Sequence, residues 1–282
     1  MWGLAFFHSR SAPQFAPHFA PPVLVASSIL LDPGLLTLGA AAMAAGFIDA
    51  IVGGGGLILV PSLFSAFPDL PPATLFGTNK GGAVWGTSAA AWSFLRRVRV
   101  PWNVVLPATA AAFVGGLLGA FSVTQVAPHA LRKLLPFVLG AVLLYTLARK
   151  DLGSQHVPRS RGLSVALLGG GLIGFYDGFF GPGTGNLLAF LFVRAYGFDF
   201  VHAAASAKVV NSACNLAALL LFAASGHVLW PYAGLIAVCN VSGSLLGSRV
   251  AVRRGTRFVR GMFIVIALAL IARTAWDAFL LP

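Results

Sequence analysis

Glutamate is absent from this chain. The acids are seven aspartates, set against nineteen lysines and arginines, and charged residues fill only 9% of 282 positions. Soluble domains carry about 25% charge, so this chain lacks the material for a water-facing surface. Cysteine is almost absent as well. Cys214 and Cys239 lie in apolar segments without metal-ligand spacing, and the six histidines form no cluster, so no metal site is expected. No GxxxxGK[ST] run exists to hold a nucleotide, which excludes an ATP-driven pump; "GGGGLILVP" lacks the lysine and lies in an apolar span. Neither HExxH nor a nucleophile–base pair is present, so neither an enzyme nor a cofactor is expected. A net charge of +12 would suit nucleic acid. The basic residues instead fall in short loops between apolar runs, where they orient a protein in a membrane.

What the chain does have is apolar length. It is 58% hydrophobic with a mean hydropathy of +0.87, and the partner these values imply is the lipid bilayer. Membrane elements are expected at 34–67, 73–94, 103–123, 130–148, 163–197, 203–225, 228–248 and 258–281. Six have the roughly 20-residue length of one spanning helix. The elements 34–67 and 163–197 are too long for one helix, and each carries a glycine cluster at its middle. Only seven residues precede the proline-rich stretch "HSRSAPQFAPHFAPP", too few for the basic flank and apolar core of a signal peptide, so 1–33 is expected to be a poorly ordered tail. The remaining segments are a first membrane repeat (34–148), a basic cytoplasmic linker (149–162) and a second membrane repeat (163–282).

The repeat is visible directly. Shifted by 128, Gly46–Gly119 lies on Gly174–Gly247 without a gap, with 18 identities in 74 positions, where chance gives roughly 7. "GFIDAIVGGGG" falls on "GFYDGFFGPGT", Asp49 on Asp177, Lys80 on Lys208 and Trp102 on Trp230. Counting basic residues then sets the relative orientation of the halves. If all eight elements cross once, the two sides collect seven and eight loop charges, no bias at all. If the two long elements enter and return on one side, the split is thirteen to two. The positive-inside rule selects the second arrangement. The expected fold is therefore an all-α integral membrane protein of two inverted repeats, each a glycine-broken helical hairpin plus three transmembrane helices.

Broken helices at membrane depth occur where protein buries them or a wet cavity needs them, and paired breaks in inverted halves point to a transporter site. The second half-helix of each hairpin starts with N–H groups and a positive dipole end, which suits an anion. Candidate backbone ligands are Gly53, Gly54, Gly55 and Gly56 in one break and Gly181, Gly183, Thr184, Gly185 and Asn186 in the other. The alternative is that the glycines serve close helix packing, the expected role of Gly115/Gly119 and Gly243/Gly247. Lys80 and Lys208 each interrupt an apolar helix, and charge there marks function by default. Thr78 and Asn79 flank the first, and Ser206, Asn211, Ser212 and Asn215 the second. The alternative has both lysines snorkelling to the interface. Asp49 and Asp177 have two readings: carriers of a coupling proton or cation, or structural salt-bridge partners of the lysines. Trp85, Trp92, Trp102 and Trp230 are read as packing or interfacial belt residues.

These motifs resemble the TauE/SafE sulfite exporter family of bacterial permeases. The resemblance rests on "GFIDAIVGGGGLILVP…GTNK" and "GFYDGFFGPGTGNLLAF" and extends over about 34–281. It implies a multi-pass protein of the bacterial plasma (inner) membrane that moves small sulfur-containing anions such as sulfite or organosulfonates, with export implied by the family's name. The rival is an anion channel or a permease for another small oxyanion or carboxylate, since inverted hairpins and lysines also line pores.

Overall fold

A computed structural model describes residues 33–148 and 162–254, together with Leu268, Ala272 and Trp276. The expected tail (1–33, save Pro33), nearly all of the linker (149–162) and most of the last span (258–281) lie outside the described residues. Two compact units divide at Leu36/Thr37. Of the first, only 33–36 are described, as the opening turn of a helix.

Among the described residues the structure is helical, without strands. Helix α1 spans Pro33–Val52, α2 Gly56–Ala66, α3 Pro72–Leu95, α4 Trp102–Gln125 and α5 Pro128–Ala148. Beyond the linker come α6 Leu163–Phe179, α7 Thr184–Tyr196, α8 Phe200–Ala224 and α9 Trp230–Arg254. Helices α1, α4, α8 and α9 contain windows long and apolar enough to cross a membrane. Local chemistry sets several ends. Pro72 opens α3, where its missing N–H costs nothing. The Asp199 carboxylate caps α8 by accepting from the His202 N–H at 2.9 Å. Gly197, at φ 70°, ends α7 in the left-handed turn that glycine tolerates.

Both long elements are broken at their glycines. Residues 53–55 separate α1 from α2, and 180–183 separate α6 from α7. The arms differ from the pair of short half-helices expected from the sequence. α1 has 20 residues and α2 only 11, while α6 and α7 have 17 and 13. At 1.5 Å per residue α1 is about 30 Å long, a full span. The reason is local: nothing between Gly34 and Val52 forces a break. Gly39 and Gly46 remain helical, and a Cβ at Gly46 would lie 2.2 Å from the Asn240 carbonyl oxygen.

Size sorting along α4 is opposite to that of a soluble helix. Ala108, Ala112, Gly115, Gly116, Gly119 and Ala120 are buried, while Leu106, Val114, Leu118 and Phe121 are exposed. Small residues inside let backbones touch, and large apolar ones outside meet acyl chains. Trp85, Trp92, Trp102 and Trp230 also face outward, each at least half exposed. Contacts between the halves come in exchanged pairs, each partner replaced by its equivalent 128 residues along. Gly115 meets Gly171 and Gly243 meets Met43; Gly119 meets Phe175 and Gly247 meets Phe47; Gly174 meets Ala112 and Gly46 meets Asn240.

Candidate functional site

The two breaks meet each other. Gly53, at φ 81°, packs so closely on Gly185 that an added Cβ would lie 2.6 Å from its backbone. Gly56 packs in the same way on Pro182. Glycine is required at Gly53 on two counts, a left-handed backbone and no room for a Cβ, and at Gly181 by its left-handed backbone, at φ 88°.

Beside this junction lie two ion pairs, each joining one half to the other. The Lys80 ammonium on α3 donates to Asp177 Oδ2 on α6 at 2.6 Å, and both side chains are 2% exposed. It also donates to Asn215 Oδ1 at 3.0 Å, and the Asn215 amide donates to Thr87 Oγ1 at 3.2 Å. Lys208 on α8 donates to Asp49 Oδ2 on α1 at 2.5 Å and also to the Asp49 main-chain carbonyl. Asp49 in turn holds its own break: its Oδ1 accepts from the Gly55 N–H at 3.3 Å, and its carbonyl accepts from the Gly53 N–H at 2.8 Å. Burying two charges is repaid only by close geometry and further hydrogen bonds, and both pairs have these.

A cavity of about 30 Å³ opens between the pairs. Asp49, Gly55, Gly56, Asn79, Lys80, Asp177, Gly181 and Asn211 line it, with Thr87, Asn215, Asn240, Ala45, Leu59 and Ala83. Asn211 Oδ1 is buried and has no hydrogen-bond partner among the described residues. An orphan amide oxygen on a polar cavity marks a place for a donor, such as water or a ligand O–H. No group of three or more His, Cys or Asp residues capable of holding a metal occurs among the described residues.

Other candidates are placed elsewhere. Thr78 donates to the Thr74 carbonyl and accepts from the Leu229 N–H, and Ser206 donates to the His202 carbonyl. Both hydroxyls are thus engaged within the second turn of their helices and are not part of the cavity lining. Thr184 donates to the Gly181 carbonyl, and Gly183, at φ 80°, faces Val142 of α5. Gly53, Gly54, Gly185, Asn186 and Lys208 also stand outside the lining. Several N–H groups expected to meet a ligand are used within the breaks. Beyond those of Gly53 and Gly55, the Gly181 N–H donates to the Tyr176 carbonyl and the Thr184 N–H to the Gly181 carbonyl.

The profile of the "Sulfite exporter TauE/SafE" family matches residues 38–274. The chain belongs to this family. It is 38% identical over 238 residues to the "Probable membrane transporter protein YfcA" of Escherichia coli (strain K12), covering 84% of this chain and 88% of that one. A "Probable membrane transporter protein" of Haemophilus influenzae is 36% identical over 236 residues, 83% of this chain and 91% of its own. A "Probable membrane transporter protein ORF9" of Sinorhizobium sp. is 36% identical, over 84% of this chain and 90% of its own. No solved structure matches the chain.

Thr87 and Asn240 of this TauE/SafE protein line the cavity without being among the residues expected from the sequence. Thr87 stands seven residues after Lys80, two helical turns along the same face, and that spacing would have found it. It corresponds to Asn215, its own hydrogen-bond partner, under the 128-residue shift. Asn240 corresponds to Ala112, so the repeat hides it. Only the packing of α9 on α3, where Asn240 Oδ1 would lie 1.7 Å from a Cβ at Gly86, brings it to the site.

Proposed function

We propose that this protein is a secondary transporter of small sulfur-containing anions, sulfite or organosulfonates, across the bacterial plasma membrane. Export is the direction the family name suggests. The two halves act as inverted repeats, and the anion binds between the two breaks. The observation that carries this reading is the polar cavity at the junction of the breaks, reached by a buried lysine and lined by four asparagines. Lysine and amide N–H groups are suitable ligands for an oxyanion.

Each lysine is neutralised by an aspartate, and about 30 Å³ holds only one or two waters. The arrangement is therefore a closed one. An anion enters when the breaks part, and the positive-φ glycines at 53, 181 and 183 are the natural points of bending. Such gating, in which a site is never open to both sides, belongs to a carrier.

Two measurements test this. Purified protein in detergent is heated with sulfite, sulfate, thiosulfate, sulfoacetate, methanesulfonate, taurine, phosphate or acetate, and a ligand that binds the folded state raises the melting temperature. A shift confined to sulfur anions and lost in Lys80→Ala is the expected result. Stabilisation by acetate or phosphate alone would redirect the substrate to another class. Flux in proteoliposomes then separates carrier from channel: saturation at low turnover is expected, and rapid unsaturable conductance would make it a channel.

A further inference from the structure

The two ion pairs are equivalent by sequence but not by surroundings. Lys80 and Asp177 both line the cavity, whereas of the second pair only Asp49 does, and Lys208 stands behind it. Asp49 is also tied to the backbone of its break, whereas the Asp177 carboxylate is held by side chains, Lys80 and Thr184. Asp49 receives Lys208 on both its carboxylate and its carbonyl, and the Gly55 N–H on its other carboxylate oxygen. From this asymmetry, and resting on the anion reading above, we infer that each anion is carried with one proton, taken up by Asp177, while the Lys208–Asp49 pair stays closed as a structural clasp.

Charge balance requires the proton. Two lysines and two aspartates leave the site neutral, and it is buried. An anion entering alone would leave one uncompensated charge in a medium that penalises it heavily. With a proton the balance holds. The proton bonds to an Asp177 carboxylate oxygen, the Lys80 N–H that bonded that carboxylate turns to the anion, and the net charge is unchanged. The groups facing Asp177 permit this. They are Lys80 from α3, Thr184 from α7, Asp49 from α1, and Cys214 from α8, with Tyr176 beside it on α6; Lys80 is the only cation among them. The cavity has room for a water, and Asn211 Oδ1 is an acceptor that can hold one on the route to the carboxylate. A metal cation is a poor substitute, because the carboxylates are already paired with lysines and no three-residue ligand set exists among the described residues. Co-transport of a monoanion with a proton is electroneutral. The membrane potential then gives no drive, and efflux requires the internal anion to exceed what the proton gradient retains.

The test is uptake by the full-length protein in liposomes carrying an internal pH dye, with methanesulfonate (a fixed monoanion) and thiosulfate (a fixed dianion) as probes. The expected result is one proton per methanesulfonate, accumulation of about tenfold per pH unit of gradient, and no response to an imposed potential. Thiosulfate, which one proton leaves with a net charge in the buried site, should enter far more slowly than methanesulfonate and move one net charge when it does. Asp177→Asn should abolish the pH dependence, whereas Asp49→Asn should slow transport and keep it. If Asp177→Asn fails to fold, the proton count in the wild-type protein decides alone. Methanesulfonate entry without protons, or driven by the potential, would overturn the inference and leave the substrate reading intact. No uptake of methanesulfonate, thiosulfate or sulfite would overturn the substrate reading, and this inference with it.

Discussion

Lys80 and Asp177 are each 2% exposed and joined at 2.6 Å, so neither tolerates loss of the other. Removing one partner of a buried pair costs about 3–5 kcal/mol, while replacing both by apolar groups of similar size is often near neutral. Asp177→Leu is therefore expected to lower the unfolding temperature sharply, and Lys80→Met combined with Asp177→Leu to recover most of it while transporting nothing. Thermal unfolding of the three proteins in one detergent, beside a flux assay, checks both halves of the statement. A double variant no more stable than the single one would mean that the pair's geometry, not its charge, holds the site. Lys80, Lys208, Asp49 and Asp177 were legible from the sequence because charge is rare in an apolar run. Their cross-half pairing was not, since nothing in the order of residues says that α3 lies against α6.

At the scale of the element, glycine performs two separate jobs, and substitution distinguishes them. Gly119 lies where a Cβ would come 2.0 Å from the Phe175 carbonyl oxygen, whereas Gly140, inside α5, has nothing within 4 Å. Gly140→Ala should be neutral or stabilising by up to about 1 kcal/mol, the helix-propensity difference. Gly119→Ala must push α4 from α6 and should destabilise by about 1–3 kcal/mol through overpacking. Gly53→Ala suffers both a left-handed backbone and a clash with Gly185, and it should lose transport before Gly119→Ala does. Melting temperatures and uptake rates, compared across the three, give the order. The sequence located both breaks correctly, because four adjacent glycines and a Gly-Pro-Gly cannot continue a helix cheaply. The arm lengths are not legible there, because nothing in the order of residues says how far a helix before a break continues, and the first arm runs on through Gly39 and Gly46 for 20 residues.

The whole molecule raises the question of handedness in the membrane. The exchanged contacts relate one half to the other, and the basic loops favour an inverted arrangement. Single cysteines at Arg97, Ser160 and Arg254, in a background lacking Cys214 and Cys239, are expected to react with an impermeant thiol reagent from one face only. Labelling from opposite faces would make the halves parallel and remove the basis for alternating exposure of one site.

Order along the chain determined the solvent, the class and the symmetry. Few charges and long apolar runs demand lipid, the glycine clusters demand breaks, and the 128-residue repeat demands two like halves. These are properties of composition and local backbone preference, which a sequence carries directly. The tertiary structure alone decided which polar groups share the cavity. It turned Thr78 and Ser206 to their own helices, brought Thr87 and Asn240 in, closed both lysines on aspartates from the opposite half and left Asn211 Oδ1 unsatisfied. Which face of a helix meets which neighbour depends on contacts between residues far apart in sequence, and the two repeats, alike in order, differ in that.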